Sequence, residues 1–271
     1  MLKIVFYGVA IGIANIIPGV SGGTIAFILG IYDKLTGAIG NFFTCTKDER
    51  KEYLKFLIPL FVGVGVGILI FAKLIEILYK NYPEPTSFFF IGLIIASIPI
   101  ILKENEGKIN KNSIISLATG ILVVLIFLAF REPQSINELR TDFNFLYYMK
   151  LLLCGAFAAA AMIIPGISGS MLLLILGEYY NILSFINDMK IMPLIFVAIG
   201  ILIGIVLCSK LISYLFAHFK NATIYGILGL ILASILGIWP GFGQDNAFIN
   251  ILSAIFGITV VYFSEKFSIK K

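Results

Sequence analysis

Apolar residues run through this chain in long stretches, and polar residues arrive in short bursts that separate them. The pattern predicts a helical hairpin over 4–42, then spans near 56–79, 87–102 and 114–130, then a polar linker over 131–148. A second hairpin follows over 149–186, with spans near 192–216, 223–239 and 247–263. These runs approach the length that about 30 Å of hydrocarbon requires. The stretch 45–55 carries Lys47, Arg50, Lys51 and Lys55 and reads as a polar loop after the first hairpin.

Within the first hairpin, the apolar stretch 4–17 stops at Pro18, because a proline disfavours helical geometry at the residue before it. A second helix starts at Ser21 or the glycines beside it and continues to about residue 42. From Ser21 to Gly30 that helix covers ~15 Å, about half a bilayer. It would reach the interface near Tyr32, Asp33 and Lys34, where aromatic and charged groups are well placed. The expectation is a re-entrant hairpin with its tip near the midplane; two full spans are the alternative.

The break occurs twice. Residues 16–24 read IIPGVSGGT and residues 163–171 read IIPGISGSM, aligned by an offset of 147. Later positions align at an offset of 137: Gly63 with Gly200, Gly67 with Gly204, Gly92 with Gly229 and Gly120 with Gly257. The expected fold class is therefore an all-α polytopic membrane protein of two inverted-topology repeats, 1–135 and 136–271. Each repeat holds a re-entrant helical hairpin plus three transmembrane helices. Inversion follows from parity, since a hairpin adds no crossing and three spans leave each half with an odd count. Paired, interrupted hydrophobic segments at matching positions of two halves point to the binding site of a secondary transporter.

Composition agrees with the class. The 271 residues are 59% hydrophobic and 13% charged, and the mean hydropathy is +1.02. A soluble domain carries about 25% charged residues. The net charge of +5 resides in short loops, so it reports topology and not nucleic-acid binding. Twelve Lys and Arg fall on the side of both termini and five on the other, which predicts cytoplasmic termini in a multi-pass protein of the cell membrane. Cys45, Cys154 and Cys208 have no paired spacing, and no metal or cofactor is indicated. His218 is the only histidine, and no catalytic set or nucleotide-binding loop is present, so an enzyme is not expected.

At each break a helix N-terminus would lie inside the membrane, with free N–H groups and the positive end of the helix dipole. Pro18, Gly19, Ser21, Gly22, Gly23 and Thr24 in the first motif, with Pro165, Gly166, Ser168, Gly169 and Ser170 in the second, would form a phosphate or carboxylate site without a formal charge. Side chains at Gly22 or Gly169 would then block the anion while leaving the fold intact. The competing account is that the glycines and serines serve helix packing. Asn15 would hydrogen-bond across the first break or act as helix glue. Lys73 and Lys210 are a symmetric pair within apolar spans and read chiefly as snorkelling side chains. Asp33 and Glu178 lie just past the hairpins; interfacial solvation is the plain reading, and coupling to a proton or sodium ion the sharper one. Arg131 and Arg140 occupy the one long outer loop, as ordinary loop charge or as a first contact for an anion.

The segments PGVSGGTIAFILGIY (18–32) and PGISGSMLLLILGEY (165–179) resemble the paired motifs of the polyprenyl-phosphate transporter family called PopT, over essentially the whole chain. The resemblance implies a flippase that returns undecaprenyl phosphate from the outer to the inner leaflet, with the motif residues above as its substrate contacts. An acidic residue often stands in that family where this chain has Asn15. The motif is also similar to that of undecaprenyl-diphosphate phosphatases, but those add an arginine that neither motif has here. A transporter of another small anion is the remaining alternative.

Overall fold

The computed structural model describes residues 2–16, 21–103, 109–130, 143–241 and 247–268. The described residues form an all-α chain: α1 (Leu2–Ile16), α2 (Gly22–Ile28), α3 (Tyr32–Gly40), α4 (Lys47–Asn81), α5 (Pro83–Lys103), α6 (Lys111–Ala129), α7 (Phe145–Ile163), α8 (Gly169–Ile175), α9 (Tyr179–Asn187), α10 (Ile191–Ile238) and α11 (Ala247–Ser268). By length and composition α4, α5, α6, α7 and α10 can each cross a membrane, and α8 with α9 forms one pair bent by 111°. Leu69 and Leu202, 83% and 66% exposed, mark outer surfaces suited to lipid. The molecule is a multi-pass membrane protein.

Three local features depart from the sequence pattern, each for a physical reason. The stretch 45–55 is mostly the first turns of α4 and not a loop. The Thr46 hydroxyl accepts from the Glu49 N–H, and the Glu49 carboxylate accepts from the Thr46 N–H, so a capping box starts the helix well before the apolar run. The second limb of each hairpin is two helices and not one. Gly30 (φ +67°) and Gly177 (φ +76°) end α2 and α8 in left-handed backbone, which glycine adopts without a Cβ penalty. Each broken limb therefore starts with seven residues, or ~10 Å of helix. Finally, the stretches 192–216 and 223–239 form one helix, kinked at Phe219 (φ −134°, ψ 38°). At 48 residues it is ~72 Å long, enough for two crossings.

Glycines bring the long helices into backbone contact, the usual means of packing where lipid removes the hydrophobic drive between helices. α1 packs on α4, α7 on α10, α5 on α11, and α6 on the later part of α10. A Cβ on Gly63 would lie 2.1 Å from the Val5 carbonyl, and one on Gly200 would lie 2.0 Å from that of Leu152. Gly92 meets the Ala254 carbonyl at 2.1 Å, and Gly229 meets that of Leu117 at 2.2 Å. The offsets of 147 and 137 carry the contacts of α1, α4, α5 and α11 onto those of α7, α10 and α6.

The short helices break this correspondence. α3 is docked on α10: a Cβ on Gly40 would lie 2.7 Å from the Lys210 Cα, and the Tyr32 ring lies 6.0 Å from that of Phe216. α9 instead shares a core with α7 and the start of α10, through Tyr147, Leu151, Ile182, Phe185 and Val197.

Candidate functional site

The two breaks interlock. Ser21 takes extended backbone (φ −100°, ψ 134°) and caps α2, its hydroxyl accepting from the Gly23 N–H at 3.2 Å. The Gly22 N–H donates to Asn15 Oδ1 at 3.1 Å, and the Thr24 N–H to the Ser21 carbonyl at 3.0 Å. The Ser21 hydroxyl in turn donates to the Ile164 carbonyl at 3.2 Å, beyond the end of α7. Thr24 Oγ1 accepts from the Gly166 N–H at 3.0 Å, and the Tyr32 hydroxyl donates to the Ile163 carbonyl at 3.0 Å. Ser21, Thr24 and Pro165 are all buried.

Gly166 needs to be glycine on two counts. Its φ is +86°, and a Cβ would meet the Leu230 carbonyl at 2.4 Å. Beyond it Ser168 takes the same extended geometry as Ser21 but makes no side-chain cap. Its hydroxyl pairs instead with that of Ser170 at 2.8 Å. The residue matching Asn15 in the second half is Met162, which offers no amide oxygen to the Gly169 N–H. One break is thus capped by its own side chains, and the other is not. Between them lies a polar chamber of about 100 Å³ lined by Asn15, Ser21, Met162, Ile167, Ser168, Gly169 and Ser170. That is room for several waters or a small oxyanion.

The remaining expected residues fall elsewhere. Gly22 and Gly169 do not simply leave space for a ligand: a Cβ would lie 2.6 Å from Asn15 Oδ1 in one case and 2.6 Å from the Ala158 carbonyl in the other. At Gly169 the obstacle is backbone, so a side chain there needs a shift of α7, whereas at Gly22 it is the Asn15 side chain alone. Gly23 is equally close to its neighbour, 2.6 Å from the Ile163 carbonyl. Lys73, Lys210 and Asp33 are exposed and do not line the chamber. Pro18, Gly19, Arg131 and Arg140 lie outside the described residues.

Glu178 is not solvated at an interface. It is 1% exposed, and its carboxylate accepts from the Tyr147 hydroxyl at 2.6 Å, Lys150 Nζ at 2.5 Å and Asn181 Nδ2 at 2.9 Å. This joins α7 to α9. The residue matching Glu178 in the first half is Ile31, so the ion pair belongs to the second half alone. Sequence reading missed Tyr147, Lys150 and Asn181, whose only signal was the Lys150 charge near the start of an apolar helix. Among the described residues no cluster of three His, Cys, Asp or Glu side chains could hold a metal ion.

A family model described as VCA0040-like, undecaprenyl phosphate translocase-like, matches residues 11–255. A polyprenyl-phosphate transporter of Vibrio cholerae is 34% identical over 243 residues, covering 86% of this chain and 76% of the relative. One from Staphylococcus aureus is 31% identical over 266 residues, covering 93% and 92%. No solved structure matches the chain.

Proposed function

The chain belongs to the undecaprenyl phosphate translocase-like family, and from that premise we propose that it carries polyprenyl phosphate from the outer to the inner leaflet of the cell membrane, without catalysing a reaction. The observation that carries this reading is the polar chamber lined by residues of both motifs. Ser168 and Ser170 supply hydroxyls, Asn15 supplies an amide N–H, the Ser21 hydroxyl proton is already given to the Ile164 carbonyl, and no cation lines the walls. A hydrogen bond to a charged group contributes about 1.5–3 kcal/mol, so a few such donors hold a phosphate while a neutral site still releases it. Among the described residues no arginine, histidine or carboxylate lines this chamber to activate a serine or a water, which suits transfer of the intact lipid better than hydrolysis.

The two halves act as inverted repeats, 1–135 and 136–271, with both termini in the cytoplasm. The mapped glycine contacts support this symmetry, and the unequal docking of α3 and α9 supports alternation. The docked α3 closes one route to the chamber. Its release from α10, with a matching approach of α9 to α4, opens that route and closes the other. Glu178, buried and ion-paired with Lys150, is the carboxylate that a coupling proton or sodium ion would engage. Arg131 and Arg140 make first contact with the lipid phosphate on the outer side.

The test is reconstitution in vesicles with a fluorescent polyprenyl phosphate and an impermeant quencher. Protein-dependent movement of the phosphate between leaflets, with none for the neutral polyprenol, supports the reading. Absence of movement, or release of inorganic phosphate from a polyprenyl diphosphate, overturns it.

A further inference from the structure

A second, larger cavity lies beside the polar chamber. It measures about 920 Å³, is bounded by α1, α2, α4, α5 and α11, and is walled by apolar side chains such as Ala10, Ile25, Phe71, Phe89 and Phe256. That is the upper end of the roughly 300–1,000 Å³ typical of ligand sites. Polar groups are few in its lining, and one of them, Thr86 Oγ1, donates to the Tyr82 carbonyl at 2.6 Å. Leu74 and Phe256 on its lip are 46% and 62% exposed, so it opens sideways to lipid.

We infer that this groove seats the isoprenoid tail of the carried lipid; the inference rests on the phosphate reading of the chamber. Continuity identifies the occupant. Ala14 lines the groove and Asn15, the next residue of α1, lines the chamber; Ile25 and Ser21 stand one turn apart at the start of α2 in the same relation. A lipid whose phosphate occupies the chamber has its first carbons at the head of the groove. Ile13 and Phe71 line the space in the first half, whereas their counterparts in the second, Ala160 and Cys208, are in direct contact, with the Cys208 thiol 3.5 Å from the Ala160 carbonyl. A tail seated in this groove lies beside the first break. Lipid tails are as apolar as the groove, so burial from water provides no preference. Selection comes from close contact with fixed aromatic and branched side chains.

Filling the groove away from the chamber tests this. Ser253→Phe narrows it from α11, and Leu74→Trp obstructs its lip. Binding of undecaprenyl phosphate and of geranyl phosphate is measured on the purified protein, with thermal unfolding as a control for folding. The wild type should favour the long lipid. Losing on the order of ten carbon–carbon contacts should lower that preference by about tenfold in the filled variants, with geranyl phosphate affinity unchanged. A wild type that binds both lipids equally, or filled variants that keep the wild-type preference, overturns the tail site while leaving the phosphate site intact. A wild type that binds neither phosphate overturns both readings. A photoreactive undecaprenyl phosphate should label Phe256, and excess phosphatidylglycerol should not compete. Equal competition would assign the groove to ordinary bilayer lipid.

Discussion

The two motif serines occupy matching positions but should respond differently to removal. Ser21→Ala takes away the cap of α2, a loss of about 0.5–2 kcal/mol. It also removes the hydroxyl bond to the Ile164 carbonyl, net about 0.5–1.5 kcal/mol. That carbonyl keeps a weaker partner in the Ile167 N–H at 3.4 Å, so the lower part of the second range applies. The sum is ~2 kcal/mol, or roughly 4–8 °C at about 2–4 °C per kcal/mol. Ser168→Ala removes no cap and only a half-exposed contact with Ser170, so its stability should stay within ~0.5 kcal/mol of the wild type. Affinity for the lipid phosphate should show the reverse emphasis. Ser168→Ala should bind ten- to a hundredfold more weakly, from the loss of about 1.5–3 kcal/mol in a bond to a charged group. Thermal unfolding in detergent and equilibrium binding, measured on the same preparations, read both effects. Equal destabilisation by the two substitutions would refute the capped and uncapped assignment, and wild-type affinity in Ser168→Ala would place the phosphate elsewhere.

Lys150→Met should destabilise the protein by about 1–3 kcal/mol, below the range for a fully buried pair because the Lys150 side chain is 46% exposed. Adding Glu178→Gln in the same chain should restore much of that loss, and a chemical denaturation cycle showing additive losses would remove the ion pair from the account. Gly37→Cys with Ser213→Cys, in a background lacking the native cysteines, should form a disulfide on mild oxidation, since a Cβ on Gly37 lies 3.9 Å from Ser213 Oγ. The bond should stop transport by holding α3 on α10; full transport with the bond formed would exclude release of α3 from the cycle.

Much of the architecture is legible in the sequence because lipid imposes a simple rule. Backbone polar groups must be satisfied within the segment, so long apolar runs become helices and Pro-Gly breaks become the exceptions. The repeated IIPG motif therefore disclosed the breaks, and the glycines at the offset of 137 disclosed the repeat, while their role in helix packing emerged only from the close approaches at Gly63, Gly92, Gly200 and Gly229. Capping geometry was partly legible too: Thr46 and Glu49 spell a capping box, but the lysines around them suggested a loop. The Leu-Gly ends at Gly30 and Gly177 were visible, but their role as left-handed turns that split each limb was not. Pattern alone does not distinguish a glycine at an interface from one that ends a helix.

What only the tertiary structure decided is which groups are already engaged. Both motifs present serines at the same place, yet Asn15 and Ser21 cap one break while Met162 and Ser168 leave the other uncapped. Those caps are local, and the exchange of Asn15 for Met162 is visible in the sequence; the seating of Ser21 on the Ile164 carbonyl and of Thr24 on the Gly166 N–H joins residues about 140 positions apart and carries no local signature. The same holds for Glu178, which reads as one of two interfacial carboxylates until Tyr147 and Lys150 enclose it from α7. The chain's own pattern determined that two matching breaks would lie within apolar helices. Packing determined that they share one chamber, because only the folded chain sets the distance between them.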